Sequence, residues 1–420
     1  MKRLYCVVGV LALAVLVQAA VAQPQLPIFR TPFQLASTLV NTASTDYAPT
    51  LPAGGLTLYI TSNRAGGAGG QDVWMFQRSF LASTVWVAGP ANICAALNTA
   101  LSESYIDVRD DDLEFFLSAN QTGTVGANDI WVSTRTSPSA PWGAPVNVGF
   151  CNSTVNEDDP SLTGDGLELF FVTSGRAPGQ GTGSIFSIRR PSRTAAWDMN
   201  VYYHPGLDST YQDHSPSVSP DGLWMIWSST RPGTGTSNLF LATRPDPLST
   251  VWTTVGELTE LNGPSWSHNG QWDADGFSYF YAKDSTNMIW QADRILPLCL
   301  VDGVAYFGPG RYLMQLGGKF TVSCRRDPGD VGVLVGSLGA VAPTPLPGIQ
   351  GMLEVNVGLL FAPPFIGMIS SLDGRHSVPF AVPNLPVLHG VSLHFQSAAQ
   401  DQQSPPKAYL SNRVEVILLK

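Results

Sequence analysis

Short apolar runs alternate with polar, glycine-rich stretches along most of this chain. Leu167-Glu168-Leu169-Phe170-Phe171-Val172 and Leu223-Trp224-Met225-Ile226-Trp227 are two such runs, and each follows an Asp-Gly pair. Glycine there supplies the positive φ that a tight turn needs, so each run predicts a strand leaving a hairpin turn. A second kind of strand has a polar residue just ahead of an aromatic. It appears as Asp72-Val73-Trp74, Asp129-Ile130-Trp131, Ser184-Ile185-Phe186, Asn238-Leu239-Phe240 and Asn287-Met288-Ile289-Trp290, the aromatics standing 57, 55, 54 and 50 residues apart. A strand-rich unit recurring at that length predicts a β-propeller.

The first four units each continue through a tryptophan (Trp86, Trp142, Trp197, Trp252) into a further strand, whereas the fifth has no such successor. Arg30-Thr31-Pro32-Phe33-Gln34-Leu35 has the character of the missing strand. The expected fold is therefore all-β, a five-bladed propeller over 23–296 whose last blade is completed by the N-terminal strand. Closure of that kind leaves no free sheet edge. A six-bladed ring that borrows C-terminal strands is the alternative.

Ser217-Val218-Ser219-Pro220-Asp221-Gly222, Ser229-Thr230-Arg231-Pro232-Gly233 and the Asn238-Leu239-Phe240 strand resemble the TolB-type, WD-like propeller repeat. Ser62-Asn63-Arg64 and Ser174-Gly175-Arg176 are similar. The resemblance implies a fold and little more, because such propellers serve binding, scaffolding and enzyme-linked roles. From Leu298 the repeat stops. Short apolar runs between Pro/Gly segments predict a β-sandwich over 297–420. Ser371-Leu372-Asp373-Gly374 and Leu388-His389-Gly390-Val391-Ser392-Leu393-His394-Phe395 make this region similar to a C-terminal module of secreted planctomycete proteins, which implies an accessory or attachment role.

Residues 1–22 read as a secretory signal: Lys2 and Arg3, an apolar run, then Ala20-Val21-Ala22. A secreted, periplasmic or cell-surface location follows, and no later stretch is apolar enough to span a bilayer. Cys94, Cys151, Cys299 and Cys324 remain after cleavage, and in an exported chain they predict the bridges Cys94–Cys151 and Cys299–Cys324, with free buried thiols as the alternative. The net charge of −9 carries no long run of one sign, which speaks against nucleic acid as a partner. At 13 % the chain is poor in charged residues, as suits short strands and tight turns.

Each inner strand is expected to open on an acid, Asp46, Glu103, Glu157 or Asp213, with Ser267 or His268 at the fifth position. Carboxylates near one axis suit a cation or a polar ligand, and Asp46, Glu157 and Asp213 could imitate the catalytic acids of five-bladed glycoside hydrolases. Acids that follow a repeat equally suit blade-holding, by pairing with Arg64, Arg176 or Arg231. Asp72, Asp129 and Asn238 are expected to bond between strands. Symmetry breaks at Trp224, Trp227, Trp266 and Trp272. Trp266 and Trp272 flank Ser267-His268-Asn269-Gly270-Gln271, read as an irregular insertion, and either stack a sugar or plug a junction. His214 adds a titratable group. No cofactor is implied; calcium is the one ion the acids suit, Asp110-Asp111-Asp112 included. No G-x-S-x-G, H-E-x-x-H or P-loop is present. The function expected is non-enzymatic binding of a glycan or protein at the propeller mouth, with a glycoside hydrolase or a structural envelope protein as alternatives.

Overall fold

The computed structural model describes residue 27 and residues 29–294, apart from 81, 82, 275 and 286, with their side chains; beyond 294 it describes strand backbone. The signal expected over residues 1–22 lies outside the described residues. Five four-stranded antiparallel sheets form the ring. The first holds β2 (Asp46–Thr50), β3 (Thr57–Ser62), β4 (Asp72–Gln77) and β5 (Val87–Ala88). The second holds β6 (Glu103–Val108), β7 (Glu114–Ala119), β8 (Asp129–Thr134) and β9 (Val146–Asn147). The third holds β10 (Glu157–Leu162), β11 (Glu168–Thr173), β12 (Ser184–Arg189) and β13 (Tyr202–Tyr203). The fourth holds β14 (Asp213–Val218), β15 (Trp224–Ser229), β16 (Asn238–Thr243) and β17 (Thr253–Glu257). In the fifth, β18 (Ser267–Trp272), β19 (Ser278–Lys283) and β20 (Met288–Asp293) are completed by β1 (Phe33–Gln34) from the N-terminus. Phe33 pairs with Gln291 and Gln34 with Trp290. The inner strands β2, β6, β10, β14 and β18 contact one another in a closed cycle, which makes five blades, not six.

Side chains of a strand alternate between its two faces, and here each face meets a different neighbouring blade. Phe116 packs against the third blade while its neighbour Phe115 packs against the first. Trp224 and Trp227 divide in the same way between the clusters on either side of the fourth blade. Five such inter-blade cores hold the ring together. The missing fifth tryptophan is replaced by Phe29, which is 4 % exposed and stacks 5.6 Å from Trp272.

One arginine per blade secures the end away from the acids. Arg78, Arg135, Arg190 and Arg244 stand over Trp86, Trp142, Trp197 and Trp252 at 4.7, 4.1, 4.3 and 4.7 Å, and Arg294 stands over Trp224 at 4.7 Å. Each also donates to a carbonyl of the turn between the first two strands of its blade, that of Gly55, Asp112, Gly166, Gly222 or Gly276. Arg190 reaches across to Glu114 of the second blade, and Arg244 to Glu168 of the third. The turn residues Gly55, Gly166, Gly222 and Gly276 share φ values of 60–72°. In the second blade Asp112 takes that place at 59°, a conformation Asp tolerates better than most residues.

The Cys94–Cys151 bridge does not form: both are free, buried thiols. They are repeat equivalents, so each lies in its own inter-blade core, Cys94 with Leu97 and Trp142, Cys151 with Ile130 and Phe171. Burial pushes both thiols up to about 12. Past residue 294, Leu298–Asp302, Lys319–Arg325 and Arg375–Ala381 form a three-stranded sheet, beside a seven-stranded and a two-stranded one. Its register sets Cys299 opposite Cys324, but their side chains lie outside the description.

Candidate functional site

The four strand-opening acids are completely buried and turned into their own blades. Asp46 accepts from the Thr42 amide at 2.6 Å, Thr42 Oγ1 at 2.8 Å, Ser62 Oγ at 2.6 Å and Arg64 at 2.5 Å. Glu157 repeats this with Ser153, Thr173 and Arg176, and Asp213 with Ser209, Trp227 Nε1 and Arg231. Glu103, which pairs with no arginine among the described residues, accepts from the amide and hydroxyl of Thr99. Burial raises Glu103 and Glu157 against the lowering effect of these bonds. Asp72 and Asn238 bond amides of the loops just ahead of them rather than spanning strands; Asp129 does so too and also accepts from Asn147.

The mouth is made by the residues that follow. Every inner strand carries a bulge two positions after its opening residue. Ala48, Tyr105, Asp159, Ser215 and Asn269 sit there at φ between 44° and 54°. A bulge re-aims the side chains around it. Ser267–Trp272 is thus no insertion but the fifth inner strand, with the same bulge as the others.

The five bulge residues line a narrow pit between the inner strands, with enclosed room for little more than a water molecule. The residues just ahead of the bulges are Tyr47, Ser104, Asp158, His214 and His268; Tyr47 and His268 are buried and the other three half-buried. Tyr47 and Ser104 both bond Gln71, and Asn128 donates to Asp158 at 3.0 Å. His214 contacts Ser215 and Ser237, and His268 contacts Asn269 and Asn287. The two imidazoles lie 6.5 Å apart. Burial pushes His214 down to about 3 and also lowers His268, so both are neutral near pH 7. Burial raises Asp158 to about 6 and Asp159 to about 7, the latter also through its neighbour Asp158.

The pit is closed from below by one polar residue per blade, Thr50, Asp107, Ser161, Ser217 and Gln271. Asp107 accepts from Thr50 Oγ1 at 2.8 Å and the Leu162 amide at 2.6 Å, and burial lifts it to about 7. Gln271 accepts from Ser161 and Ser217 and donates to the Pro160 carbonyl. A second pocket lies beyond this layer, lined by Asp107, Arg109 and Trp272 among others.

Trp266 and Trp272 are therefore separated. Trp266 is 48 % exposed at the rim and meets His268 edge-on at 5.9 Å. Trp272 is 5 % exposed and lies in the core between the fourth and fifth blades. Asp110, Asp111 and Asp112 are engaged by Arg193, Arg109 and Arg135, and no three metal-ligating side chains converge among the described residues. Asp158, Asp159, Asp107, Tyr47 and Tyr105 are the axial residues that the motif reading passed over. Aligning the repeats on their acids would have found them, since the next columns are polar or aromatic and differ from blade to blade.

The chain matches no protein-family model and no curated protein sequence. Among solved structures it is similar to a thermostable family-43 glycoside hydrolase, at 13 % identity and TM-score 0.43 over 63 % of this chain and 96 % of that one. It is also similar to TolB from Acinetobacter baumannii, at 9 % identity and TM-score 0.36 over 60 % of this chain and 55 % of that one. A putative TolB from Agrobacterium tumefaciens aligns at 13 % identity and TM-score 0.35 over 81 % and 92 %. These are likenesses of fold and carry no functional argument.

Proposed function

We propose that this is an exported, non-enzymatic binding propeller that meets a glycan or protein ligand at the mouth where its inner strands begin. The observation that carries the reading is the fate of the strand-opening acids. Both carboxylate oxygens of Asp46, Glu157 and Asp213 are occupied by amides, hydroxyls, an indole or an arginine of their own blade. A general acid or a nucleophile needs an oxygen turned toward substrate. The mouth offers instead the pit-lining Tyr105, Asp159, Ser215 and Asn269, half-buried Ser104, Asp158 and His214, and exposed Trp266 at its rim, the composition of a recognition site.

The test is incubation of the protein with a polysaccharide panel, following both retention and new reducing ends. Retention without new ends, lost in Trp266→Ala, is the expected outcome. New reducing ends that Glu157→Gln abolishes while the variant still melts cooperatively would overturn the reading and restore the hydrolase.

A further inference from the structure

We propose that Tyr211 and Trp266, with the loop that runs between them over the fourth blade, form a platform for an extended, uncharged polysaccharide, off the axis and beside the pit. This rests on the reading that the mouth is the ligand face, and it takes a glycan, not a protein, as the ligand.

The first argument is placement. Tyr211 lies two residues before Asp213, which opens β14, and Trp266 lies one before Ser267, which opens β18, so both stand at the mouth on adjacent blades. The loop 230–237 between β15 and β16 joins them. At its start the Gln212 amide donates to Thr230 Oγ1 at 3.1 Å and the Thr230 amide to the Gln212 carbonyl at 3.0 Å. At its end the Thr236 amide donates to the Ser265 carbonyl at 3.2 Å, and Ser237 pairs with Trp266 in a parallel bridge. The middle is tied down as well. Gly235 exchanges two hydrogen bonds with the Asn238 side chain, and the Thr234 amide donates to Glu257. A surface fixed in this way loses little freedom when a ligand binds.

The second argument is the pair of rings. Tyr211 is 45 % exposed, close to the value for Trp266. Among the described residues the other exposed aromatics are Phe33, on the outer edge of the fifth blade, and Phe80, in the loop after β4 at the opposite end. Leu39, Leu101 and Val125, also exposed at the mouth, are aliphatic. Trp131 and Trp252 donate their indole hydrogens to the Ala119 carbonyl and His204, whereas neither Trp266 Nε1 nor the Tyr211 hydroxyl has a hydrogen-bond partner among the described residues. An exposed ring with an open polar tip can stack on the C–H face of a sugar and bond its hydroxyls. The third argument is charge. Segments 209–212, 230–237 and 263–266 hold one charged residue, Arg231, and it is committed to Ser229, the Leu207 carbonyl and Asp213. The remainder is Ser, Thr, Gly, Pro and Gln beside the two aromatics. Such a surface offers no open cation to an anionic polymer, and it lacks the apolar core that protein partners bury. Hydroxyls, amides and two rings suit a neutral sugar chain.

The experiment is affinity electrophoresis of the full chain in gels cast with hydroxyethylcellulose, galactomannan or arabinan, with carboxymethylcellulose as the anionic counterpart of the first. At least one neutral polysaccharide is expected to retard the protein, ~10-fold more weakly in Tyr211→Ala and in Trp266→Ala, as for the loss of one stacking contact. Phe80→Ala, which removes an exposed ring at the other end, should bind as wild type does. Melting curves establish that each variant is folded, and Tyr211→Leu removes the ring while keeping apolar bulk. No retardation by any of the neutral polymers, stronger retardation by carboxymethylcellulose, or unchanged binding in Tyr211→Ala and Tyr211→Leu would each overturn the proposal. If a ligand needs Trp266 but not Tyr211, or is a protein, this inference fails and the mouth reading stands. If no ligand depends on the mouth, both fail.

Discussion

Asp213 and Asp158 show how position within one repeat decides what a carboxylate does. Asp213 is one of the recurring acids, and it closes its blade by accepting from Ser209, Trp227 and Arg231. Removing one member of such a buried pair leaves the other uncompensated. Asp213→Ala is expected to destabilise the propeller by ~3–5 kcal/mol in chemical denaturation, as for other broken buried pairs. Asp158, one step past the recurring acid of its blade, accepts instead from Asn128 of the neighbouring blade, and its place is taken elsewhere by Tyr47, Ser104, His214 and His268. His204 gives a pH signature. It is fully buried, takes the Trp252 indole hydrogen at 3.2 Å and contacts Ser187 Oγ at 2.9 Å. Burial, and then the charge of Arg244, lower it from 6.5 to about 3. The unfolded histidine gains its proton below 6.5 while the folded one resists, so the stability His204 contributes is full above 6.5 and is lost as pH falls toward 3. His204→Gln should lower the melting temperature at pH 7, and the gap to wild type should narrow by pH 4. A gap that stays constant would show that His204 is not held neutral.

At the scale of elements, the closing strand is the sharpest expectation. Phe29 fills the core place that tryptophan fills in the other four blades, and β1 caps what would be an open edge. Phe29→Ala should cost ~3–5 kcal/mol, as for other large buried aromatics, measured in urea. Closure by this strand was legible because the fifth unit lacked its Trp-led strand and the N-terminal segment supplied one. The blades were legible because Asp-Gly turns and aromatic strands recur at nearly fixed spacing. Less legible was the fifth inner strand. Ser267-His268-Asn269-Gly270-Gln271 is too polar to look like a strand, because its neighbours on the axis are other polar residues and not an apolar core. The bridge expected between Cys94 and Cys151 failed for a related reason: equivalence in a repeat places two residues one blade apart, not side by side. The arginines over the tryptophans, Arg78 through Arg294, recur as regularly as the aromatics, but only the folded ring shows that each stacks on an indole and bonds a turn carbonyl.

At the scale of the whole molecule, the two ends of the ring differ in kind. One carries the arginines that bond the turn carbonyls and, beyond the layer of Asp107 and Gln271, the second pocket. The other opens on a pit with carboxylates, phenols and neutral imidazoles and an exposed indole at the rim. Symmetry holds the ring together, and the departures from symmetry gather at one mouth. Looking for function where the repeat breaks pointed to Trp266 and His268 and passed over Asp158 and Asp159, which follow directly on a recurring acid. The most direct measurement is binding on a single array of glycans and proteins by three proteins: wild type, Trp266→Ala at the mouth, and Arg193→Ala at the opposite end of the axis. The account predicts a ligand that wild type and Arg193→Ala retain and Trp266→Ala loses. Binding lost only in Arg193→Ala, or left unchanged by Trp266→Ala, would contradict it.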